Sequence, residues 1–416
     1  FVAFDTETTS LDLQKAKLVG FSLSVEAGGG CYVPVGHKAK AGQGSFDLGD
    51  GGAGGEDVPN QIPLKQAVER LKPLLEDPGV LKIGHNIKYD WEIMRGLGID
   101  IAPIDDTMLI SYALEGGAHG HGMDELATLH LNHTTIKYGD VTGSGKSQVT
   151  FDYVPLDKAC DYAAEDADIT LRLHQHLKPQ LLAERLVSVY ETIDRPLVAV
   201  VGAMELAGIK VDRQELNRLS ADFGERLADL EKQIHKLAGH EFNIGSPKQL
   251  GEVLFDEMGL SGGQKSSKTG AYATGADVLE SLAAQGHDLP ARVLDWRQLA
   301  KLKSTYADAL VEQIDPTTGR VHTSFALAAT STGRLSSTDP NLQNIPVRTE
   351  EGRKIRRAFI AEKGHKLLSV DYSQIELRLA AHVAEVQPLK DAFRDGADIH
   401  AMTASQVFGV PVEGMD

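Results

Sequence analysis

The sequence predicts an α/β domain at the N-terminus, then a helical region, and finally part of a mixed α+β domain. Short apolar segments that alternate with amphipathic ones indicate the α/β domain over residues 1–178. Apolar residues that recur every three or four positions from residue 216 onward indicate long helices within residues 179–315. An apolar segment followed by a helical pattern predicts a strand and helices within residues 316–416.

Composition limits the class of protein. The 416 residues suffice for two or three domains, and 42% hydrophobic with 24% charged residues is ordinary for a globular protein. The chain has no apolar run of membrane-spanning length and no export signal, so we expect a cytoplasmic protein without a membrane partner. Cys31 and Cys160 form neither a disulfide framework nor a CxxC pair. The net charge of -17 disfavours a nucleic-acid partner, unless basic and acidic residues are segregated on the surface.

The N-terminal strand carries two acidic residues at alternate positions. Asp5 and Glu7 follow an apolar start, and residues two apart in a strand point to the same side. Two adjacent carboxylates repel each other unless a cation lies between them, and Mg²⁺ prefers such oxygen ligands. The alternative is a solvated edge strand whose acids face water. This segment alone does not decide between the two.

The remaining elements of the α/β domain follow in order. Residues 18–25 and 31–35 are predicted as a strand pair, and the glycine-rich residues 41–55 as a surface loop. Residues 62–75 have the pattern of an amphipathic helix, and residues 80–84 that of a short buried strand.

Two helical segments offer further acids. Residues 85–91 open a helix on which Asn86 and Asp90, four apart, would share a face. Residues 159–177 form another helix, with Tyr162 and Asp166 one turn apart. The last pair alone is more typical of a capped surface helix.

Taken together, the four acids and the phenol of Tyr162 favour a metal site over solvated surface residues. Four carboxylates can hold two divalent ions about 4 Å apart, an arrangement that stabilises phosphodiester hydrolysis. The phenol could orient the attacking water. We therefore expect two Mg²⁺ ions per site, with Mn²⁺ as a substitute, bound by Asp5, Glu7, Asp90 and Asp166, with Tyr162 as a further catalytic residue.

Two other patterns are interpreted as structural. The sequence VTGSGKS ends like a phosphate-binding loop, but Asp140 stands where the first glycine is required, and no apolar strand precedes it. The histidines at 119, 121, 130 and 133 have no neighbouring cysteine and no common zinc-site spacing, so they are predicted to be surface residues.

The helical region is predicted to contain two long helices side by side. Asp212 is a plausible N-cap of the first, Gly239 follows its end, and residues 289–314 supply the second. The apolar stripe of the first helix consists of Leu216, Leu219, Phe223, Leu227, Leu230, Ile234 and Leu237.

The loop over residues 261–275 separates these helices. It is rich in Gly, Ser and Thr and carries Lys265 and Lys268. Simple disorder and sequence-independent contact with phosphates are both compatible with this composition.

The last hundred residues contain a long polar segment and a basic run. The polar side chains of residues 331–346 could reach the edges of a nucleic-acid groove. The basic residues that follow are Arg353, Lys354, Arg356 and Arg357. Residues 366–370 are predicted to form a buried strand that ends at Asp371, which makes this acid a candidate metal ligand.

Two known families share these motifs. FDTET, HNIKYD and YAAED match, in order, the three motifs of the DEDD exonucleases in their tyrosine form, while TGRLSSTDPNLQNIP and DYSQIELR resemble the A-family DNA polymerases. The resemblance covers essentially the whole chain. It implies a ribonuclease H-like exonuclease domain over residues 1–178, a helical thumb over 179–315 and the N-terminal part of the palm over 316–416.

The resemblance also implies roles for individual residues. Asp371 would bind the catalytic metals of synthesis, Glu376 would crowd the 2′ position of the sugar, and His400 would approach the incoming triphosphate. Contacts with DNA are expected from Asn86, Lys265, Lys268, Arg334, Asn341, Gln343, Arg356 and Arg357.

The implied activity is DNA-directed DNA synthesis with 3′–5′ proofreading, in DNA replication and repair. The fingers helix and the second metal-binding palm motif of the family do not occur in this sequence. We therefore expect a piece of a longer protein, with a complete exonuclease site and an incomplete polymerase site. The expected partners of a monomer are primer-template DNA, single-stranded 3′ ends and, in the full-length enzyme, deoxynucleoside triphosphates. The alternatives are an RNA-processing DEDD exonuclease and a catalytically inert module that binds primer ends.

Overall fold

The structure is a computed structural model that describes residues 1–39, 61–265 and 270–412. These residues form two compact units, Phe1–Ile360 and Ala361–Asp416. The predicted glycine-rich loop at 41–55 and the predicted DNA contact Lys268 lie outside the described residues. None of the described helices combines the length and the apolar character needed to cross a membrane.

A five-stranded mixed sheet forms the centre of the N-terminal part. Its strands are β1 Val2–Thr8, β2 Leu18–Glu26, β3 Gly29–Pro34, β4 Lys82–Gly84 and β5 Ile104–Asp106. The order across the sheet is β3-β2-β1-β4-β5, with β1, β2 and β3 antiparallel and β1, β4 and β5 parallel. The strands predicted at 18–25, 31–35 and 80–84 are confirmed, with ends shifted by one or two residues.

Six α-helices accompany this sheet in the described part of the N-terminal region. They are α1 Leu64–Leu75, α2 Lys88–Gly96, α3 Thr107–Glu115, α4 Met123–Leu131, α5 Tyr138–Thr142 and α6 Leu156–Ala183. The core between helices and sheet includes Phe4, Trp91, Met94, Ile110 and Leu173, all of them buried. Burial of this apolar surface supplies the main stabilisation of the layer.

Helix α6 packs closely on strands β2 and β3. A Cβ atom added to Gly30 of β3 would overlap the carbonyl oxygen of Ala164 in α6. Only glycine therefore permits this approach without displacement of the helix. The residues of α6 around position 164 are held against the sheet.

The buried carboxylate of Asp105 connects strand β5 with the helices that follow. It accepts a hydrogen bond from the Tyr190 hydroxyl at 3.0 Å and pairs with His174 at 2.8 Å and Lys178 at 3.0 Å. Burial alone would raise the pKa of Asp105, but the hydrogen bonds from His174 and Lys178 outweigh it and lower the pKa below its ordinary value. Tyr190 lies in a π-helical turn, Tyr190–Asp194, between α7 Val187–Val189 and α8 Arg195–Ala207.

Two long helices pack side by side in the next part of the chain, as predicted, and they run antiparallel. Helix α9 is Arg213–Ala238, and the Asp212 side chain caps it by accepting from the backbone N–H groups of Gln214 and Glu215. Its partner α12 runs from Asp288 to Leu302. The indole N–H of Trp296 in α12 donates to Glu231 in α9 at 3.0 Å. The other helical segments here are α10 Pro247–Gly251, the π-helical turn Glu252–Glu257, α11 Ala276–Ala284, the π-helical turn Lys303–Asp308 and α13 Ala309–Glu312.

Two short β ladders and one helix complete the first unit. The ladders pair β6 Ile209–Lys210 with β7 Arg320–Val321 and β8 Ser324–Ala326 with β9 Ser336–Thr338, and the helix is α14 Glu350–Arg357.

A buried ion pair links helix α2, helix α8 and strand β8. The Lys88 ammonium lies 2.7 Å from Glu205, which also accepts the backbone N–H of Phe325 at 2.6 Å. Glu92 is buried beside them, and burial is the main cause that raises its pKa to about 9. This raised pKa favours the neutral form of Glu92, which limits the cost of burying it beside Glu205.

The second unit contains three helices, α15 Ile375–Val383, α16 Gln387–Asp395 and α17 Ile399–Phe408. The prediction of a buried strand over residues 366–370 is wrong, because these residues have no regular structure and are exposed. Leu368 and Val370 are 87% and 82% exposed. Their apolar character indicates a preference for burial, but none of the described residues pairs with this segment as a strand.

Substitution of Gly30 tests the close packing of α6. Gly30→Ala should lower the free energy of unfolding by about 1–3 kcal/mol, because the methyl group forces helix and strand apart. Gly96→Ala is the matched control, since a Cβ there meets no atom within 4 Å. Urea denaturation of both variants measures the difference, and equal stability of the two would contradict the packing argument.

Candidate metal-binding carboxylate site

Three acidic side chains meet between strand β1 and helix α6. Carboxylate oxygens of Asp5, Glu7 and Asp166 lie within 4.8 Å of one another. Alternation in β1 puts Asp5 and Glu7 on one side, as predicted, and α6 supplies Asp166 from the facing helix. Glu7 and Asp166 are buried, and Asp5 is half-buried. This donor set consists of oxygens alone, which suits hard divalent cations.

Asp90 of helix α2 is held next to these three acids by Thr6 of strand β1. The backbone N–H and the hydroxyl of Thr6 both donate to Asp90 Oδ1, at 2.8 and 2.6 Å. Two donors on one carboxylate oxygen fix the buried side chain of Asp90 near Asp5. The fourth predicted acid is therefore adjacent to the other three.

The four carboxylates raise one another's proton affinity. Burial raises the pKa of Asp5 to about 7. Burial and then the charges of Asp5, Asp166 and Asp90 hold the pKa of Glu7 well above its usual range. For Asp90 and Asp166 the same two causes, burial followed by the charge of Asp5, raise the pKa well above its ordinary value. Keeping these buried carboxylates charged at neutral pH is unfavourable. The cluster is therefore suited to bound cations, which would offset the repulsion.

Tyr162 lies one helical turn before Asp166. Its ring is half-buried and contacts the rings of Phe151 and Tyr138, at centroid distances of 5.8 and 6.2 Å. Burial, followed by the charges of Asp166 and Glu7, raises the pKa of Tyr162 far above its ordinary value. The phenol therefore stays protonated and can orient a water molecule without acting as a general base.

A cleft of about 1080 Å³ opens onto the cluster. The four acids and Tyr162 line it, together with Tyr89 and Asn86. Tyr89 is anchored at the rim, because its hydroxyl donates to the carbonyl oxygen of Ser10 at 2.6 Å. The volume admits a ligand of at least drug size.

The placement of Asn86 differs from the prediction. Helix α2 begins at Lys88, so Asn86 precedes the helix and does not share a helical face with Asp90. Its φ angle is +57°, in the left-handed region. The carboxylate of Asp106 causes this turn by accepting the backbone N–H groups of Asn86 and Ile87, both at 3.0 Å.

Two residues that position the site were not predicted. Thr6 holds Asp90, and Asp106 shapes the turn before α2. The hydroxyl of Thr6 between two acids was a usable signal in the sequence. Asp106 offered none, because it lies 20 residues from Asn86 in the chain.

Residues 331–346 are an exposed segment with many internal hydrogen bonds. Arg334 is exposed on it. Asn341 accepts the backbone N–H groups of Gln343 and Asn344, at 3.0 and 3.3 Å. The Gln343 amide bonds to the backbone of Leu335 and Ser337, at 3.0 and 3.2 Å. These side chains fix the shape of the loop, and their contact with DNA remains a prediction.

Those basic residues predicted to contact DNA that the structure describes are exposed. Arg356 and Arg357 lie in the last turn of α14, whose other face buries Ile355. The ammonium of Lys265 lies over the ring of Tyr272, 4.4 Å from its centroid.

The predicted polymerase residues of the second unit are also exposed. Asp371 lies in the irregular segment before α15, Glu376 in the first turn of α15, and His400 in the first turn of α17. Among residues 1–39, 61–265 and 270–412, no cluster of three potential metal ligands includes Asp371.

One of the four histidines differs from the prediction of surface residues. His121 is only 7% exposed and pairs with Ser111 at 2.8 Å. His119, His130 and His133 are half-buried. The spacing of these residues could not reveal that α3 and α4 bring most of them together.

Comparisons with known proteins agree with this architecture. Residues 1–182 match the sequence model described as 3′-5′ exonuclease, and residues 213–416 match the one described as DNA polymerase family A. These matches identify a domain of the 3′-5′ exonuclease family followed by a segment of the DNA polymerase family. The chain belongs to DNA polymerase family A.

Two curated bacterial relatives are similar over essentially the whole chain. The chain is 58% identical over 423 residues to DNA polymerase I of Rhizobium leguminosarum and 48% identical over 416 residues to DNA polymerase I of Pseudomonas aeruginosa, matching over 100% and 99% of its own length. It spans 41% and 44% of the length of these curated relatives.

One solved structure covers the whole chain. It is the POL domain of Pol1 from M. smegmatis in complex with DNA primer-template and dNTP, with a TM-score of 0.79, 29% sequence identity and coverage of 64% of that structure's chain.

Removing one charge from the cluster should stabilise the metal-free protein. In EDTA at pH 8, above the pKa of about 7 for Asp5, Asp5→Asn should raise the melting temperature by at least about 2 °C, the shift that roughly 1 kcal/mol produces in a domain of this size. A divalent cation such as Mg²⁺ should then raise the melting temperature of the variant less than that of the parent. Calorimetry measures both effects. Asp161→Asn, on the exposed side of α6, is the control, and an equal cation response of parent and Asp5→Asn would contradict the assignment.

Proposed function

We propose that this chain is part of a family A DNA polymerase and that its N-terminal region removes nucleotides from DNA 3′ ends. The proximity of Asp5, Glu7 and Asp166, with Asp90 beside them in one cleft, carries this proposal. An RNA-processing nuclease or an inert binding module would not account for the polymerase match over residues 213–416.

The residues of the cluster would divide the work of hydrolysis. Asp5, Glu7, Asp90 and Asp166 would hold two Mg²⁺ ions, or Mn²⁺ as a substitute, and these ions supply the activation of water and the stabilisation of the leaving oxygen. Thr6 keeps Asp90 in place through its two hydrogen bonds. Tyr162 orients the water that attacks the phosphorus, and Asn86 and Tyr89 at the cleft contact the terminal nucleotides.

The domain division follows from the same proposal. Residues 1–178 would form a ribonuclease H-like exonuclease domain, and the strand order β3-β2-β1-β4-β5 with β2 antiparallel to β1 supports it. Residues 179–315 would form the thumb, for which the antiparallel α9 and α12 are suited. Residues 316–416 would contribute to the palm.

The partners of the whole protein would be primer-template DNA and deoxynucleoside triphosphates. The structural relative from M. smegmatis was solved with both ligands, which supports this proposal. In the whole protein, Asp371 would bind the metals of synthesis, Glu376 would exclude the ribose 2′-hydroxyl and His400 would approach the triphosphate. We propose that the protein acts as a monomer.

Loss of an acid should abolish excision. We expect Asp5→Ala and Asp166→Ala to slow the Mg²⁺-dependent shortening of a labelled DNA strand by more than about 100-fold, because even outer partners of metal ligands typically contribute 10–100-fold. Tyr162→Phe should cost about 10–100-fold. DNA binding by the Ala variants should be nearly unchanged, and Asp161→Asn should excise like the parent.

The same assay tests the choice of substrate. Faster shortening of an RNA strand than of the same DNA sequence would favour the RNA-processing alternative. Undiminished shortening by Asp5→Ala would contradict the assignment of the site.

The exposed arginines of α14 should contribute to duplex binding through phosphates. Replacing Arg356 and Arg357 with Glu should weaken binding and reduce the slope of log affinity against log salt by about 0.9 for each lost contact. Fluorescence anisotropy over a series of salt concentrations measures the slope. Preference among DNA sequences should not change, and an unaltered slope would exclude these residues from the interface.

A further inference from the structure

A second group of potential metal ligands lies outside the carboxylate cleft. Glu115 ends helix α3, His119 follows in the next loop, and His130 lies in the last turn of α4. One ligand atom from each lies within 4.8 Å of the others. None of the three lines the cleft at Asp5.

The imidazole of His119 is oriented as in many metal sites. Its Nδ1 lies 2.7 Å from the carbonyl oxygen of Gly120 and must donate, because that oxygen can only accept. Its Nε2 lies 2.6 Å from Glu115 Oε2, a contact that requires a proton on Nε2, and a bound metal ion would take the place of that proton. Metal-bound histidines commonly hold the other ring nitrogen on a backbone carbonyl or carboxylate in this way.

His130 has a buried nitrogen that the protein does not satisfy. Its Nε2 is buried, and no hydrogen-bond partner for it occurs among the described residues. A buried polar atom without a hydrogen-bond partner is unfavourable. The rings of His176 and His119 lie close, at centroid distances of 5.3 and 6.1 Å.

We propose that Glu115, His119 and His130 bind a divalent transition-metal ion of the zinc class. Two imidazole nitrogens and one carboxylate match the ligands of Zn²⁺, with a fourth tetrahedral position left for water, whereas Mg²⁺ prefers oxygen ligands only. The site is thus chemically distinct from the carboxylate cluster.

The ion would join the ends of α3 and α4 beneath the segment around residue 331. The Tyr112 hydroxyl in α3 donates to the carbonyl oxygen of Thr330 at 2.6 Å and accepts the N–H of Gly333 at 3.1 Å. The role of the ion is structural, because it would fix the loop between α3 and α4 on which this segment rests.

The alternative is a simple Glu–His ion pair. His240 provides a matched example, since its Nε2 lies 2.7 Å from Glu257 and its Nδ1 3.1 Å from the carbonyl oxygen of Glu241. Among the described residues, His240 belongs to no cluster of three potential ligands. A His240 variant therefore shows how loss of a Glu–His ion pair alone affects zinc binding, where no second imidazole belongs to the group.

Zinc titration against a chromophoric chelator tests the proposal. All variants carry Asp166→Asn and are measured in excess Mg²⁺, so that zinc at the carboxylate cluster is not counted. We expect one Zn²⁺ per chain in this background and in its His240→Gln derivative. Affinity should fall more than about 10-fold in the His119→Gln and His130→Gln derivatives.

Two further measurements make the outcome decisive. Co²⁺ should give the visible absorption of a tetrahedral nitrogen–oxygen site, which both ligand variants lose. Circular dichroism in EDTA verifies folding, and the exposed Glu115→Gln replaces His130→Gln if the latter is unfolded. Equal zinc affinity of the parent background and the ligand variants, or an equal loss in His240→Gln, would overturn the proposal.

Discussion

Electrostatic repulsion among four carboxylates is the constraint on which the N-terminal architecture depends. Strand β1 anchors its acids through the buried Phe4, and Thr6 uses both of its donors to hold Asp90. Helix α6 brings Asp166 to the same point, which the missing side chain of Gly30 allows. The apolar core beneath the sheet therefore stabilises a charge arrangement that is unfavourable by itself, as is common at catalytic sites.

Local patterns in the sequence predicted the elements that carry this site. The alternation at Asp5 and Glu7 and the one-turn spacing of Tyr162 and Asp166 both follow from the geometry of single elements. Contacts between distant segments could not be predicted in this way. The turn at Asn86 depends on Asp106, and the burial of His121 depends on how α3 and α4 pack. The prediction of a strand over residues 366–370 was wrong for a related reason. An apolar pattern indicates that a segment prefers burial, but it does not identify the surface that would bury the segment.

The polar loop over residues 331–346 shows how a binding surface and a structural network can share residues. Asn341 and Gln343 satisfy backbone groups of the loop itself, so their replacement would alter its shape as well as any direct contact. Arg356 and Arg357 differ in this respect, because they project from a helix whose buried face is formed by other residues. Their side chains can change without loss of that packing, which makes them cleaner probes of an interface.

The ion pair between Lys88 and Glu205 has a consequence for the modularity of the chain. Lys88 lies in the helix that carries Asp90, whereas Glu205 lies beyond the end of the exonuclease match and also accepts the N–H of Phe325. A nuclease fragment cut at the family boundary would lose α8, so that Lys88 would lose both its nearest anion and the helix that packs on α2. Recombination between homologous genes at that boundary would meet the same difficulty, so the two matched regions are expected to be inherited together with the helix that joins them.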